Sequence, residues 1–196
     1  CRETSATVRT CIRVRPRRAH HGLHPSTRRW LASVGVGTIA ERLAERGLVL
    51  PPPLQPPPGI VLPFSMVRII GDRAIVSGHG PQATDGSVAG PLGRVPDEVT
   101  VEQAYESARL TGLSILADLQ RALGDLDRIA AWGRVFGMVW CIPDFHAQPA
   151  VINGFSDLIL DVFGVDVGAH ARSAVGMSSL PFRIPVEIEC EVVVRP

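Results

Sequence analysis

His170–Val194 reads HARSAVGMSSLPFRIPVEIECEVVV, and its two halves share one periodicity. Val186, Ile188, Cys190, Val192 and Val194 alternate with Glu187, Glu189 and Glu191. Side chains on a strand leave alternately to opposite faces, so this is a half-buried strand with an acidic outer face. Arg172–Ser178 alternates in the same way, and Leu180-Pro181-Phe182 is a short connection between the two runs. One strand thus begins with an arginine and the next with a glutamate. If they run antiparallel or stack near one another, a fixed cation and a carboxylate converge on one cleft. The bland alternative is a cross-strand ion pair with a solvated acidic face, and exposed pairs of that kind are weak.

Upstream, Gln148-Pro149 opens a helix whose buried stripe is Ile152, Phe155, Ile159 and Val162. Before it lies a long apolar strand, Ile129–Cys141. There Ala131, Val135, Val139 and Cys141 oppose Trp132, Phe136, Met138 and Trp140, with Gly133 and Gly137 as candidate bulges. A strand this apolar on both faces calls for cover from neighbouring subunits. Thr100 caps a longer helix striped by Val101, Tyr105, Ala108, Gly112, Ile115 and Leu119 and stopped by Gly124-Asp125. His79–Gly93 carries four glycines, but it lacks the lysine and the strand-to-helix spacing of a phosphate cradle and reads as a mobile loop. Val67–Ile70 and Ala74–Ser77 flank Gly71-Asp72-Arg73 as a hairpin, and the core is expected to begin at Val61–Pro63. The order β-β-α-β-α-β-β defines an α+β fold, a mainly antiparallel sheet with two helices packed on one face.

The chain divides into three parts. Residues 1–36 carry eight arginines against one acid and show neither periodicity, so they read as a disordered basic tail. A nucleic-acid-binding arm, an organelle-targeting peptide and a twin-arginine export signal at Ser26–Leu31 compete there with a tail of no role. Residues 37–58 hold a short helix, Thr38–Leu48, and a polyproline connector through Pro51–Pro53 and Pro56–Pro58 that straps across the surface. Residues 59–196 form the main domain.

Composition narrows the chemistry. At 196 residues, 45% hydrophobic and 20% charged, the chain has room for one good core. It contains no lysine, which excludes a Schiff-base lysine, a P-loop lysine and lysine-anchored pyridoxal phosphate. The four cysteines, at 1, 11, 141 and 190, form no CxxC; Cys141 and Cys190 read as small buried hydrophobes, and a reducing, cytoplasmic compartment fits. No apolar run is long enough to span a membrane. No histidine pair has metal spacing, so no metal is expected.

Ala171-Arg172-Ser173-Ala174-Val175, Leu180-Pro181 and Val186-Glu187-Ile188-Glu189 together resemble the closing signature of the RidA/YjgF family, also labelled L-PSP endoribonuclease-like. Upstream and in the same order, Leu62-Pro63-Phe64-Ser65, Ala74–His79 and Val151–Phe155 resemble its other motifs. The match spans roughly residues 37–196. It looks closest to a less characterised branch marked by Gly124-Asp125-Leu126, Asp144-Phe145 and Asn153–Leu158.

The resemblance implies a chorismate-mutase-like fold and a homotrimer with one ligand cleft at each subunit boundary. It also implies cofactor-free hydrolysis of enamines and imines such as 2-aminoacrylate to a keto acid and ammonia. Arg172 matches the arginine that grips a small carboxylate, a task for which a planar guanidinium outperforms a lysine. Glu187 matches the carboxylate that moves protons during attack by water. Phe64 stands where many members have tyrosine, Gly78 matches a backbone position lining the cleft, Asn153 a polar wall residue, and His79 replaces a glutamine. His170, two residues before Arg172 and on its face, is a further candidate; His146 falls in a loop.

Three functions compete: an imine/enamine deaminase, a non-catalytic small-metabolite binder using the same cleft, and an endoribonuclease. Residues 37–196 carry twelve arginines against eighteen acids, a balance of −6 that opposes RNA binding by anything but the tail.

Overall fold

The strand that closes the chain lies at the centre of the sheet. The computed structural model describes residues 37–196, so the reading of residues 1–36 lies outside the described residues. The elements are α1 (Ile39–Glu45), β1 (Val67–Ile70), β2 (Arg73–His79), α2 (Val101–Leu123), β3 (Ile129–Trp140), α3 (Gln148–Gly168), β4 (Ala171–Met177) and β5 (Val186–Val194). The sheet order is β1-β2-β5-β3-β4, with β3 and β4 parallel and the other pairs antiparallel. The α+β order and the hairpin at Gly71 stand as expected. Arg172's strand and Glu187's strand are not neighbours, however: β3 separates them.

Both long helices cover one face. The expected stripe of α3, Ile152, Phe155, Ile159 and Val162, is wholly buried, and α2 buries Ala104, Ala108, Ile115 and Leu119 against it. The helices approach closely because each presents a glycine to the other. A Cβ on Gly112 would lie 2.7 Å from Leu158, and one on Gly154 would overlap the Tyr105 carbonyl. Thr100 caps α2 through a reciprocal bond with Gln103, and Thr38 does the same for α1 with Glu41. Gly124 ends α2 at φ 79°. Helix α1 straps onto α3, where Arg46 Nε donates to Asp161 at 2.7 Å and Arg42 to the Val162 carbonyl at 3.1 Å.

The faces of β3 differ from the simple alternation. Register slips relative to β5 between Trp132 and Arg134, so Gly133 is a bulge and Trp132 turns to the core with Val135 and Val139. There Trp132 packs edge-on against Phe155 and Phe163. Gly137 is not a bulge; its register is continuous, and a Cβ would lie 2.7 Å from Ile152. Two further expectations are corrected. Val61 is 82% exposed, and the core runs from Ile39 and Leu43 in α1 to Ala74 and Val76 in β2 without a buried residue from Val61–Pro63. The glycine-rich segment after β2 is a fastened small hairpin, with Gln82 bridged to Val88 and Gly86 accepting from the Gln55 amide at 2.9 Å.

Candidate functional site

The residues singled out in the sequence fall into two groups, one around Glu187 and one around Arg172, and those two side chains leave opposite faces of the sheet. Phe64, Gly78, His79 and Glu187 surround a cavity of about 200 Å³. Its other walls are chiefly apolar: Leu54 comes from the connector, Leu62 from the segment before β1, and Phe182 and Ile184 from the turn before β5, with Gln82 as a polar neighbour. Sequence reasoning missed Phe182. Its φ of 57°, followed by 61° at Arg183, is a left-handed pair that no glycine signals. The turn is pinned there because the Arg183 carbonyl accepts from Gly93 at 2.8 Å, and the Arg183 guanidinium reaches Glu98 at 2.7 Å over the Trp140 ring.

Glu187 is the acid of this cavity. It pairs in register with Met138, on the face away from the helices, while its neighbours Val186 and Ile188 point into the core. The carboxylate lies over the backbone of Gly78, where a Cβ would overlap Oε1. Only glycine leaves this space. Burial chiefly, and then repulsion from Glu189, push the Glu187 carboxyl above the ordinary carboxylate range, against the opposing field of His79. No described residue donates a hydrogen bond to it. A half-buried carboxyl of raised pKa beside an apolar cavity is suited to taking up and returning a proton.

His79 borders the cavity but turns inward. It is 2% exposed; Nδ1 lies 2.6 Å from the Ser77 carbonyl and Nε2 3.0 Å from Asp118 Oδ2. A carbonyl and a carboxylate are both acceptors, so each ring nitrogen already faces a protein partner. Burial pushes the Asp118 carboxyl up, but hydrogen bonds from His79 and Arg121 outweigh it and hold it low. The histidine therefore borders the cavity with no free nitrogen for a ligand.

The second group is built on α3. Arg172 pairs with core-facing Val135 and reaches toward the helix. Its Nη1 donates to Asn153 Oδ1 at 3.0 Å and to Ser156 Oγ at 2.9 Å, and Nη2 reaches the Pro149 carbonyl at 3.4 Å. No carboxylate among the described residues forms an ion pair with it. Ser156 in turn meets His170 Nε2 at 2.9 Å, and His170 Nδ1 meets the Gly168 carbonyl at 2.7 Å. His170 thus belongs with Arg172, and Ser156 is a partner that the sequence did not single out. His146 is exposed and joins neither group. Among the described residues no three His, Cys, Asp or Glu side chains gather as a metal site.

A five-stranded, mostly antiparallel sheet with two helices on one face, an arginine held by an asparagine on that face and a glutamate over a glycine on the other, defines a chorismate-mutase-like α+β protein. Residues 41–190 match the family described as "YjgF/chorismate_mutase-like, putative endoribonuclease", and the chain belongs to that family. Protein TCP17 of Trypanosoma cruzi is 38% identical over 163 residues, which cover 83% of this chain and 98% of that protein. Among solved structures, protein Atu1372 of Agrobacterium tumefaciens, of unknown function, is 38% identical with a TM-score of 0.71, over 81% of this chain and 93% of that one. A protein of Shewanella oneidensis MR-1 described as a putative endoribonuclease is 26% identical with a TM-score of 0.72, over 81% of this chain and all of that one.

Proposed function

We propose that this protein hydrolyses reactive enamines or imines bearing a small carboxylate, in a cleft completed by a second copy of the chain in a homotrimer. The observation that carries this reading is the pairing of an unneutralised, half-buried Arg172 with a Glu187 of raised pKa on the opposite face. One recognises an anion and the other exchanges protons, yet a single chain keeps them apart. A neighbouring copy that covers the free face of the sheet, where Ile75, Phe136, Met138 and Trp140 lie incompletely buried, brings one chain's arginine to another's glutamate.

In that cleft Arg172 grips the substrate carboxylate. Once any enamine has tautomerised to the imine, ionised Glu187 draws a proton from the attacking water and passes it to the imine nitrogen to give a carbinolamine. It then carries the carbinolamine hydroxyl proton to the nitrogen as the C–N bond breaks, leaving a keto acid and ammonia. Phe64 and Phe182 cover the substrate with apolar surface. Phe64 is 54% exposed and has no hydroxyl, so the proton relay runs without a phenol. No cofactor is invoked. The missing phenol also supports a second reading, a metabolite binder that uses the same cleft without turnover.

The test is semicarbazide trapping of imines generated by an amino acid oxidase, with and without the protein. Slower build-up of the semicarbazone, because the free imine is hydrolysed before it is trapped, supports the enzyme. Keto-acid binding without that slowing supports the binder, and cleavage of RNA in place of both overturns the two readings. Cys141 and Cys190, both free and buried, accord with the reducing cytoplasm in which we place the protein. No helix among the described residues is long and apolar enough to cross a membrane.

A further inference from the structure

The groups around Arg172 can be assigned donor by donor. A backbone carbonyl only accepts, so His170 Nδ1, 2.7 Å from the Gly168 carbonyl, carries a proton. Burial and the positive charge of Arg172 lower the ring's pKa against the opposing bond to Gly168, which leaves Nε2 bare. A bare Nε2 at 2.9 Å from Ser156 Oγ accepts the hydroxyl proton. That bond fixes the direction of the hydroxyl, so a lone pair of Ser156 Oγ is left to receive Arg172 Nη1 at 2.9 Å. The other Nη1 proton goes to Asn153 Oδ1 at 3.0 Å. Nη1 is then fully committed.

The opposite edge of the guanidinium is not. Nε donates to no described residue, and Nη2 makes one long contact of 3.4 Å to the Pro149 carbonyl. Nε–H and the adjacent Nη2–H form a planar fork, the edge that matches two oxygens of one carboxylate. An arginine has four rotatable side-chain bonds, and a ligand that must first order them loses affinity. A guanidinium already clamped at Nη1 avoids that loss.

We propose that Ser156 and His170 are positioning residues, a hydrogen-bond relay from the Gly168 carbonyl through His170 and Ser156 to Arg172. The relay holds the guanidinium so that its Nε–Nη2 edge receives a planar carboxylate side-on. This deepens the proposed function and rests on the anion-binding role of Arg172. Phe155, in edge contact with the His170 ring at 5.9 Å, keeps that ring in plane. Neither positioning residue touches the reacting atoms; both act through Arg172.

Two measurements on the full chain separate the relay from the reading beneath it. The first needs no ligand: nitrogen-15 NMR of the histidine rings, with His170 assigned by its loss in His170→Gln. A protonated Nδ1 with a bare Nε2 is expected, and the reverse tautomer overturns the relay. The second is calorimetric binding of pyruvate as the probe carboxylate. Ser156→Ala, His170→Leu and His170→Asn should each bind roughly tenfold more weakly, the loss expected when one hydrogen bond in a charged network fails. Ser156→Thr, which keeps the hydroxyl, should stay near the wild-type affinity. So should His170→Gln, whose amide oxygen reaches the place of Nε2; the asparagine amide reaches only that of Nδ1. Wild-type affinity in Ser156→Ala and His170→Leu, while Arg172→Ala loses binding, overturns the relay alone. Unchanged or absent pyruvate binding across the whole series, Arg172→Ala included, overturns the anion role of Arg172 and leaves the tautomer to decide the relay.

Discussion

Arg172 and Glu187 leave the sheet on opposite faces. Arg172 is in register with core-facing Val135, and Glu187 with Met138 on the face away from the helices. No rotamer change joins them across an intervening strand. A cleft that uses both must draw them from two chains.

Complementation should therefore be possible. Arg172→Ala and Glu187→Gln chains, each inactive alone, should regain about a quarter of the wild-type imine hydrolysis when refolded together at equal amounts. In a cyclic trimer every mixed ring contains one intact cleft. Equal inactivity of the mixture and the separate variants would mean that the two residues do not share a cleft. Light scattering should show the trimer in all three samples.

Glu187→Gln should cost turnover about a hundredfold or more, the usual share of acid–base catalysis, with pyruvate affinity kept. In the wild type, turnover should fall on the acid side at a pH above the ordinary 4.5 of a glutamate, because burial holds this carboxyl up. The stability effect has the opposite sense. A folded pKa above the unfolded one means that the stabilising contribution is present below the unfolded value and lost as pH rises through the folded one. Glu187→Gln should thus melt higher than the wild type at pH 8 and differ less at pH 4, which thermal unfolding at the two pH values checks.

Gly78→Ala places a methyl group against the Glu187 carboxylate. The flexible end of the Glu187 side chain has to swing aside, which displaces the carboxylate at little cost in stability. Turnover should drop at least tenfold while the trimer persists. Unchanged turnover would show that Glu187 tolerates displacement and is not held for chemistry.

Asp118→Asn removes the negative partner of a nearly inaccessible histidine and should destabilise the chain by about 3 kcal/mol in urea unfolding at pH 7, as when one member of a buried pair is lost. Because the folded Asp118 pKa lies below its unfolded value, its contribution is present above the unfolded value and lost as pH falls through the folded one. The gap between variant and wild type should therefore close toward pH 3.

Periodicity alone determined the elements. The five-residue alternation of β5 and the 3.6-residue stripe of α3 each require one buried face, so composition and spacing suffice to place Val186, Ile188, Ile152 and Phe155 in a core. The order of motifs likewise disclosed Glu187, Arg172 and Asn153 as the residues to follow. What periodicity could not carry was the outcome of long-range pairing. The insertion of β3 between β4 and β5 parted the arginine's strand from the glutamate's, and the register of each on β3, Arg172 beside Val135 and Glu187 beside Met138, set them on opposite faces. The bulge at Gly133 turned Trp132 into the core, since one extra residue inverts every face beyond it. His79 and Ser156 took their roles from side chains 39 and 14 residues away, Asp118 and His170. Such hydrogen bonds need only the right distance after folding and leave no spacing in the sequence; only the tertiary structure decides them.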